Sequence, residues 1–268
     1  MSGATLPIIN CFWEGPALGP LHVACIRSFV RVGHRVVLHT YDPPLDLPCG
    51  VELADANRLM TRDRVVSYKT NGSLALAANI FRFEIMAAGL GIYVDCDCFC
   101  IRRLEANDHI FGWEDDEKIN GAVLHLPTNS PLIESMQRIA NADFIEPWVS
   151  PSVKRRRHLR RLIGLPTPLS ERGWGTMGPT GLTYFAKSHA LDQFAQPSDV
   201  FYPVHWSQWQ RLIDPGLKMS DVITARTKIL HLWNEKLRDL SGKYPVGSIL
   251  WDIIERDKIT PPLKSTVP

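Results

Sequence analysis

The first forty residues alternate two short apolar runs with one amphipathic stretch, and this constrains the fold more than any other feature of the chain. "LPIINCFW" (6–13) is apolar throughout and stops at "EGPALGP". A run that short, bounded by Gly and Pro, predicts a buried strand followed by a turn. "LHVACIRSFVRV" (21–32) has its apolar residues at helical spacing and is broken by Gly33. "RVVLHTY" (35–41) predicts a second strand, ended by "DPP". A strand–helix–strand opening begins a mostly parallel α/β sheet.

The rest of the chain continues the pattern less regularly. Residues 43–66 read as irregular and polar. "SLALAANIFRFEIMAAGL" (73–90) predicts the strongest helix, with Ser73 able to cap it and Leu74, Ala77, Ala78, Phe81, Ile85 and Met86 forming an apolar stripe. "GIYVDCD" (91–97) and "INGAVLHL" (119–126) predict strands, and "SPLIESMQRIAN" (130–141) a helix with Pro131 near its first turn. "KRRRHLRRL" (154–162) is a basic run at helical positions, and glycine and proline punctuate "RGWGTMGPTGL" (172–182). "DVFYPVHW" (199–206) looks strand-like, "KILHLWN" (228–234) short and buried, and "SILWDIIERD" (248–257) helical.

With 268 residues, 45% of them hydrophobic, and neither a repeat nor a low-complexity linker, the chain reads as a single domain over 1–268. A net charge of +2 gives no global drive towards nucleic acid, so polyanion binding would need a local patch. No apolar run approaches the roughly 20 residues of a membrane span. The start "MSGATLPIIN" lacks the basic residues and apolar stretch of a signal peptide, which predicts a cytoplasmic protein. Of the six cysteines, Cys11, Cys25 and Cys49 have no partner at metal-ligand spacing and are expected reduced and buried.

"GIYVDCDCFC" (91–100) interleaves Asp95 and Asp97 with Cys96, Cys98 and Cys100. On a strand the two sets face opposite ways. Thiolates in a row roughly 7 Å apart make a poor zinc cage, since tetrahedral zinc wants its ligands about 2.3 Å from one point. Two carboxylates at the carboxyl end of a strand stand where ligands bind in open α/β sheets. They suit Mg²⁺ or Mn²⁺, which take further ligands from water and phosphate. An isolated Asp-x-Asp is weak, because residue frequencies give roughly one in a chain of this length.

The context strengthens it. "NIFRFEIMAAGLGIYVDCD" resembles the donor-binding segment of glycosyltransferases with a DxD sugar-binding region, among them the yeast initiation mannosyltransferase-like family and the α-1,4-glycosyltransferase relatives. In that pattern a helix bears Ser-Asp-x-x-Arg and is followed by Gly-Gly-Ile-Tyr-x-Asp-x-Asp. Here the helix arginine is Arg82, the tyrosine Tyr93 and the aspartates Asp95 and Asp97. Asn79 replaces the helix aspartate and Leu90 the first glycine. "INCFWEG" (9–15) resembles the family's opening strand and "LHLWN" (230–234) its late His-x-Trp segment.

The resemblance implies a GT-A-type α/β fold, with a mixed, mostly parallel central sheet flanked by helices. Residues up to about 126 would bind donor, and those from about 127 would form the acceptor-side and closing part. It implies a metal-dependent transferase moving a hexose from a nucleotide diphosphate sugar, UDP-linked in preference to GDP-linked, to a glycan or lipid-linked glycan. Retention at the anomeric carbon and surface polysaccharide or lipopolysaccharide assembly come with it. Catalytic roles then fall to Asp95, Asp97 and Arg82. Donor contacts fall to Trp13, Asn79, Arg82, Tyr93, Asp95, Asn120, Trp233 and Asn234. Mn²⁺ or Mg²⁺ would be held by Asp97, with Asp95 and His231.

Blander readings stand beside several of these. His231 also suits a hydrogen-bonded histidine in an apolar strand, Arg82 a helix-surface ion pair, Trp13 the core, and Tyr93 plain packing. The basic residues of 154–161 suit either a solvated face or peripheral contact with anionic lipid at the inner face of a membrane; no RNA-binding motif accompanies them. The rival functions are a thiol-based metal or redox-sensing protein using Cys96, Cys98 and Cys100, and a nucleotide-sugar hydrolase on the same metal site.

Overall fold

The computed structural model describes residues 5–70, 72–240 and 242–259. The first four residues, on which the reading of the amino terminus partly rests, lie outside that description.

Strand β1 (Ile9–Trp13), helix α1 (Pro20–Arg31) and strand β2 (Val36–Thr40) form the expected opening, and β1 pairs parallel with β2. Gly19, with φ 81°, turns the chain into Pro20 at the helix start. The Asp46 carboxylate accepts the Leu18 and Gly19 N–H groups, both at 2.7 Å. Leu21, Ala24, Cys25, Ile26 and Phe29 form the inward face of α1, and Gly33, with φ 96°, ends it.

The region read as irregular holds a further strand, β3 (Val51–Asp55), parallel to β2 at the sheet edge. It has no apolar run because it is half exposed; Leu53 itself faces solvent. Helix α2 (Ala75–Ala87) is buried on most of its circumference, and the Ala75 N–H donates to Ser73 Oγ at 3.3 Å. Phe81 stacks on Phe12 of β1 with ring centroids 4.3 Å apart.

After α2 the chain turns at Gly91, φ 116°, into β4 (Ile92–Val94). A Cβ at Gly91 would stand 2.5 Å from the Ile8 carbonyl oxygen, so this glycine is required. Leu90, beside it, accepts from Asn10 Nδ2 at 2.9 Å and donates its N–H to the Ile85 carbonyl at 3.3 Å. The glycine of the resembled pair that does the turning is the one retained.

β4 stops sooner than the sequence suggests. Residues 95–97 form a turn in which the Cys98 N–H donates to the Asp95 carbonyl at 3.1 Å. β5 (Cys98–Cys100) then leaves the main sheet and pairs antiparallel with β8 (Ile229–His231). Strict alternation of aspartates and cysteines on two faces of one strand is therefore corrected: a turn, not a pleat, directs them.

Strands β6 (Ile110–Trp113) and β7 (Ile119–His125) complete a six-stranded sheet of order β3-β2-β1-β4-β7-β6. Its first four strands run parallel, and β4–β7 and β7–β6 are antiparallel. Helices α3 (Pro131–Ile139) and α5 (Pro179–Ser188) pack with α2 on one face around Leu132, Ile133, Met136, Ile139 and Leu182. α1 and α8 (Ile249–Ile259) lie together. The basic run forms helix α4 (Pro151–Leu162).

The strand expected over 199–206 is instead a helical turn, α6 (Ser198–Phe201), closed by the Tyr202 N–H donating to the Ser198 carbonyl at 2.7 Å. Its apolar look comes from burial of Val200, Phe201 and Tyr202, not from pleating.

Candidate active site

One cavity of about 850 Å³ opens above the carboxyl ends of β1 and β4. All ten residues singled out from the sequence line it: Trp13, Asn79, Arg82, Tyr93, Asp95, Asp97, Asn120, His231, Trp233 and Asn234. They come from β1, α2, β4 and the β4–β5 turn, β7, and β8 with the residues just after it, so only folding brings them together.

Arg82 is buried, and its Nη2 donates to both Asp95 oxygens at 2.9 and 3.0 Å. Its guanidinium also lies 5.1 Å from the Tyr93 ring centroid, while the Tyr93 hydroxyl donates to Asp95 Oδ1 at 2.9 Å. A Cβ at Gly121 would come within 2.7 Å of Arg82 Nη1, so the glycine of "INGAV" makes room for the guanidinium. Arg82 is thus no helix-surface ion pair: it and Tyr93 clamp Asp95 at the cavity wall. Burial, helped by Asp97, holds the Asp95 carboxyl above the ordinary carboxylate range against the pull of Arg82.

Asp97 meets the other wall. Its Oδ1 is 3.3 Å from His231 Nε2, and its Oδ2 accepts the Asn234 backbone N–H at 2.9 Å. The β5–β8 register sets this contact by pairing Cys98 with His231. Burial would raise the Asp97 carboxyl, but His231 and the Asn234 N–H together hold it well below the usual range. Burial would lower His231; Asp97 beside it outweighs that and raises it.

Trp233 carries the strain of this corner. It adopts φ 56°, rare for a bulky residue, and its Nε1 donates to the Val204 carbonyl at 2.8 Å. Its ring meets that of His231 edge-on at 4.2 Å. The left-handed turn at Trp233 is what presents the Asn234 N–H to Asp97.

The donor set fits a divalent cation. One ligand atom each from Asp97, Cys98 and His231 lies within 4.8 Å of the other two. Carboxylate oxygen with imidazole nitrogen suits Mn²⁺ or, with more water, Mg²⁺. His231 Nδ1 is buried without a hydrogen-bond partner among the described residues. Both Asp95 oxygens accept from Arg82 and both Asp97 oxygens have partners in His231 and the Asn234 N–H, so a cation here would take Asp97 together with His231. The Cys11 thiol and burial raise Cys96, and burial raises Cys98 and takes Cys100 to about 12, so without a cation these three are thiols and not free thiolates; of the other cysteines Cys11 and Cys25 are buried as expected, while Cys49 is exposed.

Sequence reasoning missed several residues of the cavity. Glu114 is buried and accepts from Asn120 Nδ2 at 2.7 Å, and burial raises its carboxyl. Asn120 is thereby committed at both ends, its Oδ1 accepting the Ala122 N–H at 2.8 Å. Trp174, Thr180 and Trp206 line the outer rim. The only sequence signal for Glu114 was its place six residues before Asn120.

The later half of the chain has its own likeness. Residues 170–255 match the alpha 1,4-glycosyltransferase conserved region. This stretch supplies Trp174, His231, Trp233 and Asn234 to the cavity and includes the "LHLWN" part of the resemblance, whose other parts lie in residues 9–97. The region matched is less than half of the chain, which is thereby similar to glycosyltransferases of this family. It is 23% identical over 175 residues to lactosylceramide 4-alpha-galactosyltransferase of Homo sapiens, and equally to that of Pan troglodytes. The match covers 61% of this chain and 42% of either relative, so the chain spans less than half the length of the curated relatives it matches. The mixed α/β sheet is the GT-A-type architecture that the resemblance implied.

Proposed function

We propose that this protein transfers a hexosyl group from a nucleotide diphosphate sugar to a glycan or lipid-linked glycan. UDP is favoured over GDP as carrier, and surface polysaccharide or lipopolysaccharide assembly in the cytoplasm is the setting. The observation that carries the reading is the meeting of the Asp95–Asp97 turn with His231 inside the cavity that also holds Trp13 and Arg82.

In the transfer, the bond from the anomeric carbon to the diphosphate oxygen breaks and one to an acceptor hydroxyl oxygen forms, with loss of that hydroxyl's proton. Mn²⁺ or Mg²⁺, held by Asp97 and His231, would supply positive charge against the negative charge that builds on the leaving diphosphate. Asp95, fixed by Arg82 and Tyr93, offers oxygens that accept from sugar or ribose hydroxyls. Asn79 lies beside Gly178, where a Cβ would stand 3.2 Å from its Nδ2, and serves the sugar. Trp13 presents a flat face to the nucleobase, and Asn120 a polar edge towards the diphosphate. Trp233 and Asn234 close over the donor. The amino-terminal part to about 126 takes the donor role and the remainder the acceptor role, with configuration retained.

The test is thermal stability with UDP and GDP, each with and without Mn²⁺, on the wild type and Asp97→Ala. Ligand at about 100 times its dissociation constant stabilises a fold by roughly 2.7 kcal/mol. The expected result is a shift that needs UDP, Mn²⁺ and Asp97 together. A shift with zinc or a reductant, and none with either nucleotide, would return the argument to the cysteines.

A further inference from the structure

Helix α4 has its polarity reversed. Arg157 points inward and is buried against Glu146, which is itself fully buried. At about 100° per residue, Leu159 and Leu162 sit roughly 160° and 140° round the helix from Arg157, on the face turned away from the protein. They are 55% and 81% exposed, and Ile163 and Leu165, just beyond, are 70% and 60% exposed. These four belong to one seven-residue stretch at the end of the helix. There Gly164, φ 73°, reverses the chain, and the Leu165 N–H donates to the Arg160 carbonyl at 2.9 Å. An ordinary surface helix turns its leucines in and its arginines out.

The charge around this apolar tip is predominantly positive. No Asp or Glu occurs from 147 to 170, and Arg155 and Arg156 are exposed. Arg160 and Arg161 reach Glu171 and Asp143 only at 3.9 and 3.4 Å, and Arg155 and Arg156 have no ion pair among the described residues. Protruding leucines ringed by arginines match a surface with anionic groups outside and hydrocarbon beneath. A second copy of this chain would bring like charges together, and a purely polyanionic partner would leave the leucines in water.

We infer that the end of α4 and its following turn, with Leu159, Leu162, Ile163 and Leu165 inserted and Arg155 and Arg156 at the phosphates, dock this protein on an anionic lipid bilayer. Among the described residues no helix is long and apolar enough to cross a membrane, so the contact is peripheral. The chain runs from this tip to Trp174, 54% exposed on the cavity rim and packed on Tyr68 with centroids 4.6 Å apart. Arg160 approaches Glu171, three residues before Trp174, at 3.9 Å, so docking holds the rim segment close behind the membrane-facing tip. If the proposed transfer is right, that selects an acceptor borne on a lipid.

Sedimentation with vesicles of phosphatidylcholine, with and without phosphatidylglycerol, tests the docking. Two variants separate its parts: Arg155→Glu with Arg156→Glu, and Leu159→Ser with Leu162→Ser and Ile163→Ser. Melting temperatures near wild type and an unchanged UDP–Mn²⁺ shift serve as controls for folding. The wild type is expected to bind the anionic vesicles, and each variant to bind at least about tenfold more weakly. Full affinity in the serine variant would overturn the inference and leave a solvated basic face. So would equal binding to neutral vesicles, absence of binding, or a dimer that the serine variant dissociates. Because vesicle binding requires no nucleotide, a missing UDP shift in the wild type would sink the transferase reading without touching the docking.

Discussion

Two buried arginine–carboxylate pairs set the character of two regions of this molecule. In the cavity, Arg82 grips Asp95, whose side chain stays 24% exposed towards the site. Beneath α4, Arg157 meets Glu146, which has no exposure and also lies 3.9 Å from Arg172. Arg172 spends its other donors on the Ile139 and Asn141 carbonyls at 2.6 and 2.9 Å. The first pair leaves a carboxylate edge for a ligand; the second is sealed and pins one face of a helix inward. The same two side-chain types can serve recognition or scaffold, and the solvent access of the carboxylate decides between them.

Glu146→Gln attacks the sealed pair and carries the largest expected effect. It leaves Arg157 and Arg172 without their common counter-charge, and breaking a buried pair in this way costs about 3–5 kcal/mol. Urea denaturation should show that loss, while protein that remains folded keeps its UDP–Mn²⁺ shift. If stability hardly changes, the pair is not sealed and the contrast with the cavity fails. Arg82→Lys sharpens the other half. Lysine keeps the charge but loses the planar guanidinium that spans both Asp95 oxygens and lies against the Tyr93 ring. Charge-assisted hydrogen bonds contribute about 1.5–3 kcal/mol each, so calorimetric affinity for a UDP-sugar should fall by one to two orders of magnitude. The melting temperature should fall less than in Glu146→Gln. The reverse ranking would make Arg82 a scaffold residue.

This contrast also marks what was legible in the sequence. The parallel opening, α2 and the set of residues that line the cavity could be read because they combine local patterns with motif spacing. The β4–β5 turn could not, since "YVDCDCFC" has a perfect period of two and only the pairing of Cys98 with His231, 133 positions later, ends the strand. β3 stayed hidden because an edge strand with an exposed Leu53 carries no apolar run. Glu114 stayed hidden because its burial depends on Asn120 and on strands that meet only in the fold. The basic run of α4 was visible as charge, but the outward direction of its leucines is set by Glu146, which no local period encodes.

A buried group without a counter-charge completes the comparison. His39, on β2, has Nε2 at 2.9 Å from Asn10 Oδ1 and no carboxylate beside it, and burial lowers its pKa to about 4. Arg82 and Arg157 keep their charge through a partner; His39 stays neutral by releasing its proton. The unfolded chain, with an ordinary histidine near 6.5, binds that proton first as pH falls. Its contribution is therefore complete above about pH 6.5 and is lost as pH drops towards 4, by up to about 3 kcal/mol. Urea midpoints of the wild type and His39→Gln across that window isolate this residue from the other histidines. The wild type should lose more than the variant across that window, by up to about 3 kcal/mol. Parallel curves would mean that His39 finds a counter-charge or solvent, and that this wall of the sheet is less dry than the wall behind Glu146.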